Sequence, residues 1–168
     1  MATLIKLRRV ATDNWRLLDA GASIDAVPVA GAVIVPLALW REHRDFLAAR
    51  GELGVWLEPS DDPGVLAGDL AQLPLVAVRF PKFSDGRGYS IGRLLRDRYG
   101  FRGELRAIGD VGRDHLLGME RCGFDAFALR DGENAEGAFA AFGELTDAYQ
   151  GTVPEPRPLF RRRLATGG

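Results

Sequence analysis

The chain has 168 residues, of which 46% are hydrophobic and 27% charged, and its formal net charge is −1. This length and composition are those of a single folded domain, and they exclude two ordinary domains or a complete eight-fold βα barrel. The near-zero charge argues against nucleic acid or an anionic membrane as the main partner. The longest uncharged run, residues 26–40, is too short for a membrane helix, and the N-terminus is too charged for a signal peptide, so we expect a cytoplasmic protein.

The first elements of the chain are predicted to form a β-hairpin. Two strand-like segments, LIKLRRV and WRLLDAG, flank the turn-forming residues Thr12, Asp13 and Asn14.

From Gly31 onward, strands and helices alternate. Strands are predicted at GAVIVPL, LGVWLEP, LVAVRF, ELRAIGD and DAFALRD. Helices are predicted at ALWREHRDFLAARG, VLAGDLAQL, SIGRLLRDRYG and VGRDHLLGMERCG, with Ser90 as the N-cap of the third, and over residues 136–149. This alternation predicts an α/β fold of about five mainly parallel strands with the hairpin added, in a single domain over residues 1–150. Residues 151–168 form a Pro- and Arg-rich tail.

Polar residues follow the predicted strands, at the sheet edge where ligands of parallel α/β proteins bind. The stretch FSDGRGYS, residues 83–90, comes after the third predicted strand and leads into a helix. A small anion or phosphate could be held there by a set of basic, hydroxyl and glycine residues: Lys82, Ser84, Arg87, Gly88, Ser90, Arg113 and Arg130. The alternative is that these charges only solvate the sheet edge, with Arg87 or Arg113 pairing with Asp110.

Two other interpretations of the same edge stay open. Gly86, Gly88 and Gly92 loosely imitate a dinucleotide fingerprint, with Asp110 as the ribose-binding carboxylate, although the glycines come later after the strand than in the true fingerprint. Glu58, Asp85 and Asp110 follow successive strands and could instead bind Mg²⁺.

The remaining reactive side chains favour no redox or zinc chemistry. Cys122 is the only cysteine, which excludes an internal disulfide and a four-cysteine cluster, and its place at a helix end favours a structural role. His43 and His115 lack metal-ligand spacing, and His115 is predicted to be a surface residue. The cationic residues 161–163 are expected to be solvated or to contact an acidic partner.

The runs DGRGYS, GELRAIGDV and RCGFDAF, within a match that spans nearly the whole chain, resemble a bacterial family labelled a domain of unknown function. Its members are described as probable oxidoreductases involved in sulfite reduction. The shared motif falls on Asp85, Gly86, Arg87, Gly88, Tyr89, Ser90, Gly109, Asp110, Arg113, Asp114, Cys122, Gly123, Phe124 and Asp125.

The resemblance implies a role beside assimilatory sulfite reductase. Lacking four cysteines, the chain cannot itself be the sirohaem and iron–sulfur subunit. We therefore expect an accessory protein that binds a small anion, a nucleotide or a protein partner, such as sulfite reductase or another sulfur-assimilation protein, at the carboxyl edge of the sheet. The alternative is an oxidoreductase that uses a bound dinucleotide, NAD(P) or flavin.

Overall fold

The structure, a computed structural model, describes residues 3–82 and 85–148. It contains an eight-stranded sheet in the order β2-β1-β8-β7-β6-β5-β4-β3. The strands are β1 (Leu4–Lys6), β2 (Arg9–Ala11), β3 (Arg16–Leu17), β4 (Val33–Pro36), β5 (Leu53–Leu57), β6 (Leu75–Phe80), β7 (Glu104–Gly109) and β8 (Ala126–Ala128).

The sheet is mainly parallel. Strands β3 to β8 are neighbours in chain order and each pair is parallel, whereas β1 pairs antiparallel with both β8 and β2. The five strands predicted from the alternating pattern are β4 to β8. The α/β class and the N-terminal hairpin are therefore confirmed.

The strands and the turn of this hairpin were predicted wrongly. Its two strands are β1 and β2, and its turn is formed by Leu7 and Arg8, both with positive φ (53° and 61°). Asn and Gly favour such a turn, so propensity alone pointed to Asp13 and Asn14 instead. Arg8 compensates for its unusual backbone through a bidentate bond to the buried carboxylate of Glu120, at 2.7 and 3.1 Å, made only in the folded chain.

In the described part of the chain, five α-helices lie between and after the strands. They are α1 (Leu37–Glu42), α2 (Arg44–Ala48), α3 (Arg87–Arg93), α4 (Leu116–Arg121) and α5 (Ala135–Ala148). A π-helical turn, Leu94–Arg98, continues α3, and 3₁₀-helices cover Ile24–Ala26, Pro63–Leu66, Leu70–Gln72 and Arg113–His115. Within these described ranges, none of the helices is long and apolar enough to cross a bilayer.

Three helix predictions need correction. The helix expected after β4 is broken into α1 and α2 at His43, whose φ of −122° and ψ of 34° are not helical. The helix VLAGDLAQL, expected after β5, is replaced by two 3₁₀-helices, Pro63–Leu66 and Leu70–Gln72. Helix α3 begins at Arg87 and not after Ser90, because the Asp85 carboxylate accepts a hydrogen bond from the Arg87 amide at 3.1 Å.

The helices pack against one face of the sheet. Alternate strand residues, including Val35, Val55, Val78 and Leu105, form the main core with helix residues such as Leu95. On the other face a smaller buried cluster, Ile34, Trp56, Leu75, Ala77 and Ile108, is joined by Trp15. The helices lie on one face because the parallel strands follow one another in chain order. Each crossover between them has the same hand, so each helix is placed on the same side of the sheet.

The sheet is curled towards its helix-free face. Strands β2 and β3 lie at opposite edges, yet only five residue steps separate Ala11 from Arg16. Such a segment spans at most about 18 Å, whereas eight flat strands spaced by roughly 4.8 Å would extend over about 34 Å. The connecting segment crosses the concave face, where the Asp13 carboxylate contacts Arg106 of β7 at 3.0 Å.

Candidate functional site: the carboxyl rim of the sheet

The loops after β6, β7 and β8 are joined at the carboxyl edge of the sheet. The Asp110 amide donates to the Phe80 carbonyl at 2.6 Å, and the Arg130 amide donates to the Val111 carbonyl at 2.9 Å. The Arg130 side chain also contacts the Asp110 carboxylate at 2.7 Å. We call the described parts of these loops, residues 81–82, 85–87, 109–114 and 130–133, the rim.

Two of the four predicted rim cations are neutralised by carboxylates. Arg87 contacts Asp85 at 2.8 Å, and Arg130 contacts both Asp110 at 2.7 Å and Glu133 at 3.1 Å. The side-chain bond from Arg87, and then its backbone amide, lower the pKa of Asp85. The side-chain bond to Asp110 raises the pKa of Arg130. The alternative considered from the sequence, a pairing of Arg87 or Arg113 with Asp110, does not occur. Asp110 pairs with Arg130 instead, because β7 and β8 are adjacent.

Lys82 and Arg113 differ from these two arginines. Both are exposed, and neither has a carboxylate within 4.0 Å among the described residues. They follow the neighbouring strands β6 and β7, and Arg113 lies against Gly137 of α5. The rim thus presents two cations whose charge is available to a ligand.

The predicted carboxylates do not converge. Glu58 contacts Arg79 at 2.8 Å, Asp85 contacts Arg87, and Asp110 contacts Arg130, so each is held by a different arginine. In the described part of the chain no three His, Cys, Asp or Glu side chains are grouped so that they could hold a metal ion. The Mg²⁺ interpretation of Glu58, Asp85 and Asp110 therefore has no geometric support.

The glycines of FSDGRGYS have packing roles. A Cβ atom at Gly88 would lie 2.5 Å from the Phe80 ring, and one at Gly92 would lie 2.4 Å from the Phe124 ring. Because these two glycines have no side chain, α3 can pack closely against the Phe80 and Phe124 rings. This packing explains the spacing of the glycines, and no bound dinucleotide is needed to account for it. Ser90 lies inside α3 and is exposed on its flank, whereas the predicted site residue Ser84 lies outside the described residues.

Sequence reasoning missed a groove beside the rim, along α3. It is lined by Ser90 and Arg93 of α3, by Arg98 of the π-helical turn that continues it, and by Cys122 after α4. Cys122 is a half-buried free thiol, as expected for a structural residue, and Arg93 lies 3.7 Å from its sulfur. Burial, with a smaller contribution from Cys122, raises the pKa of Tyr89 in the same groove. The helical spacing of residues 90, 93, 94, 97 and 98 was the signal that could have revealed it.

Fold and rim together define a class: a one-sided α/β protein with a curled sheet and a polar carboxyl rim of mixed charge. Residues 54–160, well over half of the chain, match the family described as "Bacterial protein of unknown function (DUF934)". The chain belongs to this family, which confirms the resemblance at that level. The family description states neither a reaction nor a partner. No curated protein matches the chain.

Proposed function

We propose that the protein is an accessory protein of assimilatory sulfite or sulfate reduction that binds a small oxyanion, or the phosphate group of a nucleotide, at its rim. The observation that carries this proposal is the pair of exposed cations without carboxylate partners among the described residues, Lys82 and Arg113, on the loops after adjacent strands.

The chemistry of the two side chains suits a divalent oxyanion. A lysine ammonium supplies a compact charge with three donors, and an arginine guanidinium supplies a planar fork that matches two oxygens of sulfite, sulfate or phosphate. Arg87 and Arg130 already donate to carboxylates. An incoming anion would have to displace those carboxylates, so we assign the binding to Lys82 and Arg113 alone.

The link to sulfite comes from the family resemblance carried by Asp85 to Asp125. Under this proposal the rim senses or delivers the oxyanion, while electron transfer remains with sulfite reductase as the protein partner. The alternative oxidoreductase would bind NAD(P) or a flavin; Gly88 and Asp110, its expected contacts, are occupied by Phe80 and Arg130.

Thermal unfolding in the presence of sulfite, sulfate, phosphate, NAD(P)H or FAD tests the proposal. An anion at about 100 times its dissociation constant should add roughly 2.7 kcal/mol to the free energy of unfolding and raise Tm by several degrees. Lys82→Ala and Arg113→Ala should each weaken sulfite or sulfate binding by about tenfold. Arg87→Ala, the matched control, removes a cation already paired with Asp85 and should leave the affinity nearly unchanged.

Three results would count against this function. Absence of any shift with the oxyanions and phosphate removes the anion site, and a shift with NAD(P)H or FAD alone favours the oxidoreductase. A failure of purified sulfite reductase to bind the tagged protein, with or without sulfite, removes the accessory role.

A further inference from the structure

An open groove of about 660 Å³ runs along α3 and the π-helical turn that continues it, on the helical layer of the protein. Residues 90, 93, 94, 97 and 98 lie on one side of this helical segment, at the spacing that aligns side chains along a helix. From residue 90 to 98 the axis rises by about 12 Å, which is the length of two turns of a second helix.

The groove has an apolar floor and a charged border. Tyr89, Leu94 and Cys122 are half-buried, so their surfaces form the bottom of the groove. Arg93 and Arg98 are exposed at its border, with one carboxylate, Asp97, between them. An apolar strip flanked by charge is the surface that an amphipathic partner segment covers.

The charge of this border is positive, although the whole chain has a net charge of −1. Arg96, the other arginine of the π-helical turn, is buried and donates to the carbonyls of Gly123, Phe101 and Gly103. This internal role fixes the turn and leaves Arg93 and Arg98 to the groove. A partner with carboxylates beside its apolar residues would match both features.

We propose that this groove docks an acidic amphipathic segment of a protein partner. Apolar side chains of that segment cover Tyr89, Leu94 and Cys122, and its carboxylates pair with Arg93 and Arg98. This docking goes beyond the proposed anion binding, because it uses the flank of α3 and neither of the two rim cations, Lys82 and Arg113. The two sites can therefore fail separately.

The unique thiol gives a direct assay on the full chain, since Cys122 is the only cysteine. The probes are two synthetic helical peptides: one has Leu at helical spacing with Glu at the flanking positions, and the other has Lys in place of each Glu. At saturating acidic peptide, alkylation of Cys122 by iodoacetamide should slow by about tenfold, because only the unbound protein reacts. The Lys peptide should give little protection.

Charge reversal locates the contact. The double variant Arg93→Glu/Arg98→Glu should lose the protection, and anisotropy of a fluorescent acidic peptide should show the same loss independently of thiol reactivity. Arg41→Glu is the matched control, since Arg41 is likewise exposed in the last turn of a helix, α1. Circular dichroism confirms that each variant is folded.

Three outcomes would overturn the docking proposal: equal protection by both peptides, protection by neither, or protection by sulfate alone. Lys82→Ala and Arg113→Ala should leave peptide binding intact, so a failure of anion binding at the rim is distinguished from a failure of this groove.

Discussion

The helix-free face carries charges at both ends of its strands, and the two ends use them differently. At the amino end, Glu104 and Arg106 of β7 are buried and bonded at 2.7 Å, and the pair is extended by Lys6 at 2.8 Å and Asp13 at 3.0 Å. At the carboxyl end, Arg79 and its partner Glu58 remain partly in water.

Burial explains the difference. A buried charge without a partner is very unfavourable, so the amino-end network specifies how β1 and the Asp13 segment meet β7. Exposed pairs contribute little to folding, because water screens both charges. The amino end is therefore the structural end of the sheet, and the carboxyl end is the one suited to binding.

The largest effect is expected from breaking the buried network. Glu104→Met should lower the free energy of unfolding by about 3 kcal/mol, because among the described residues it leaves Arg106, whose side chain is 3% exposed, with Asp13 as its single counter-charge. Urea denaturation measures this change. Arg79→Met on the same face is the control and should cost no more than about 1 kcal/mol.

The double variant Glu104→Met/Arg106→Met sharpens this test. It should be more stable than Glu104→Met alone, since an apolar pair leaves no buried charge behind. Equal losses for Glu104→Met and Arg79→Met would mean that the two ends of the sheet do not differ.

A smaller effect is expected where the rim meets the core. Gly88→Val should cost about 1 to 3 kcal/mol, because the added side chain meets the Phe80 ring. Gly86→Ala is the control: among the described residues no atom beyond its chain neighbours lies within 4 Å of its added Cβ, and it should be neutral or stabilising by a few tenths of a kcal/mol to about 1. A Gly88→Val variant as stable as the parent chain would contradict the packing role and reopen the nucleotide interpretation.

The smallest effect is expected from the exposed pair at the rim. The pKa of Asp85 is lowered in the folded state, so its contribution to stability is present above its unfolded pKa and disappears as the pH falls through the folded value. Between about pH 5 and 2, the parent chain should therefore lose slightly more stability than Asp85→Asn. Asp131→Asn, at an exposed carboxyl of the same rim, is the control, and thermal unfolding across this pH range is the measurement. Identical pH profiles for the parent chain and Asp85→Asn would show that the pair with Arg87 is absent in solution.

The repeating pattern of apolar runs and turn residues was enough to predict β4 to β8 and the α/β class. Such patterns are local, because a buried parallel strand is a short apolar run wherever it lies in the sheet. The hairpin turn at Leu7 and Arg8 had no local signal, since the Glu120 contact that holds it is 112 positions away in sequence. Strand β3 lies within the predicted segment WRLLDAG, but its partner was predicted wrongly: it pairs in parallel with β4 and not with the first segment of the chain.

At the candidate site, residue type and position after a strand were sufficient to select Lys82, Arg87, Arg113 and Arg130. Arg87 is neutralised locally by Asp85, two positions away, whereas the pairing of Arg130 with Asp110 depends on the distance between two loops and therefore on the strand order. The role of Gly88 could not be predicted either. A glycine required for contact with a phosphate and a glycine required for packing against a phenylalanine ring look the same in the sequence. The sequence by itself determined the elements and the polar composition of the rim, through local propensity and hydrophobic periodicity. The tertiary structure alone decided the curl of the sheet, the buried network on its concave face and the pairing of Arg130 with Asp110, because each depends on contacts between residues distant in the chain.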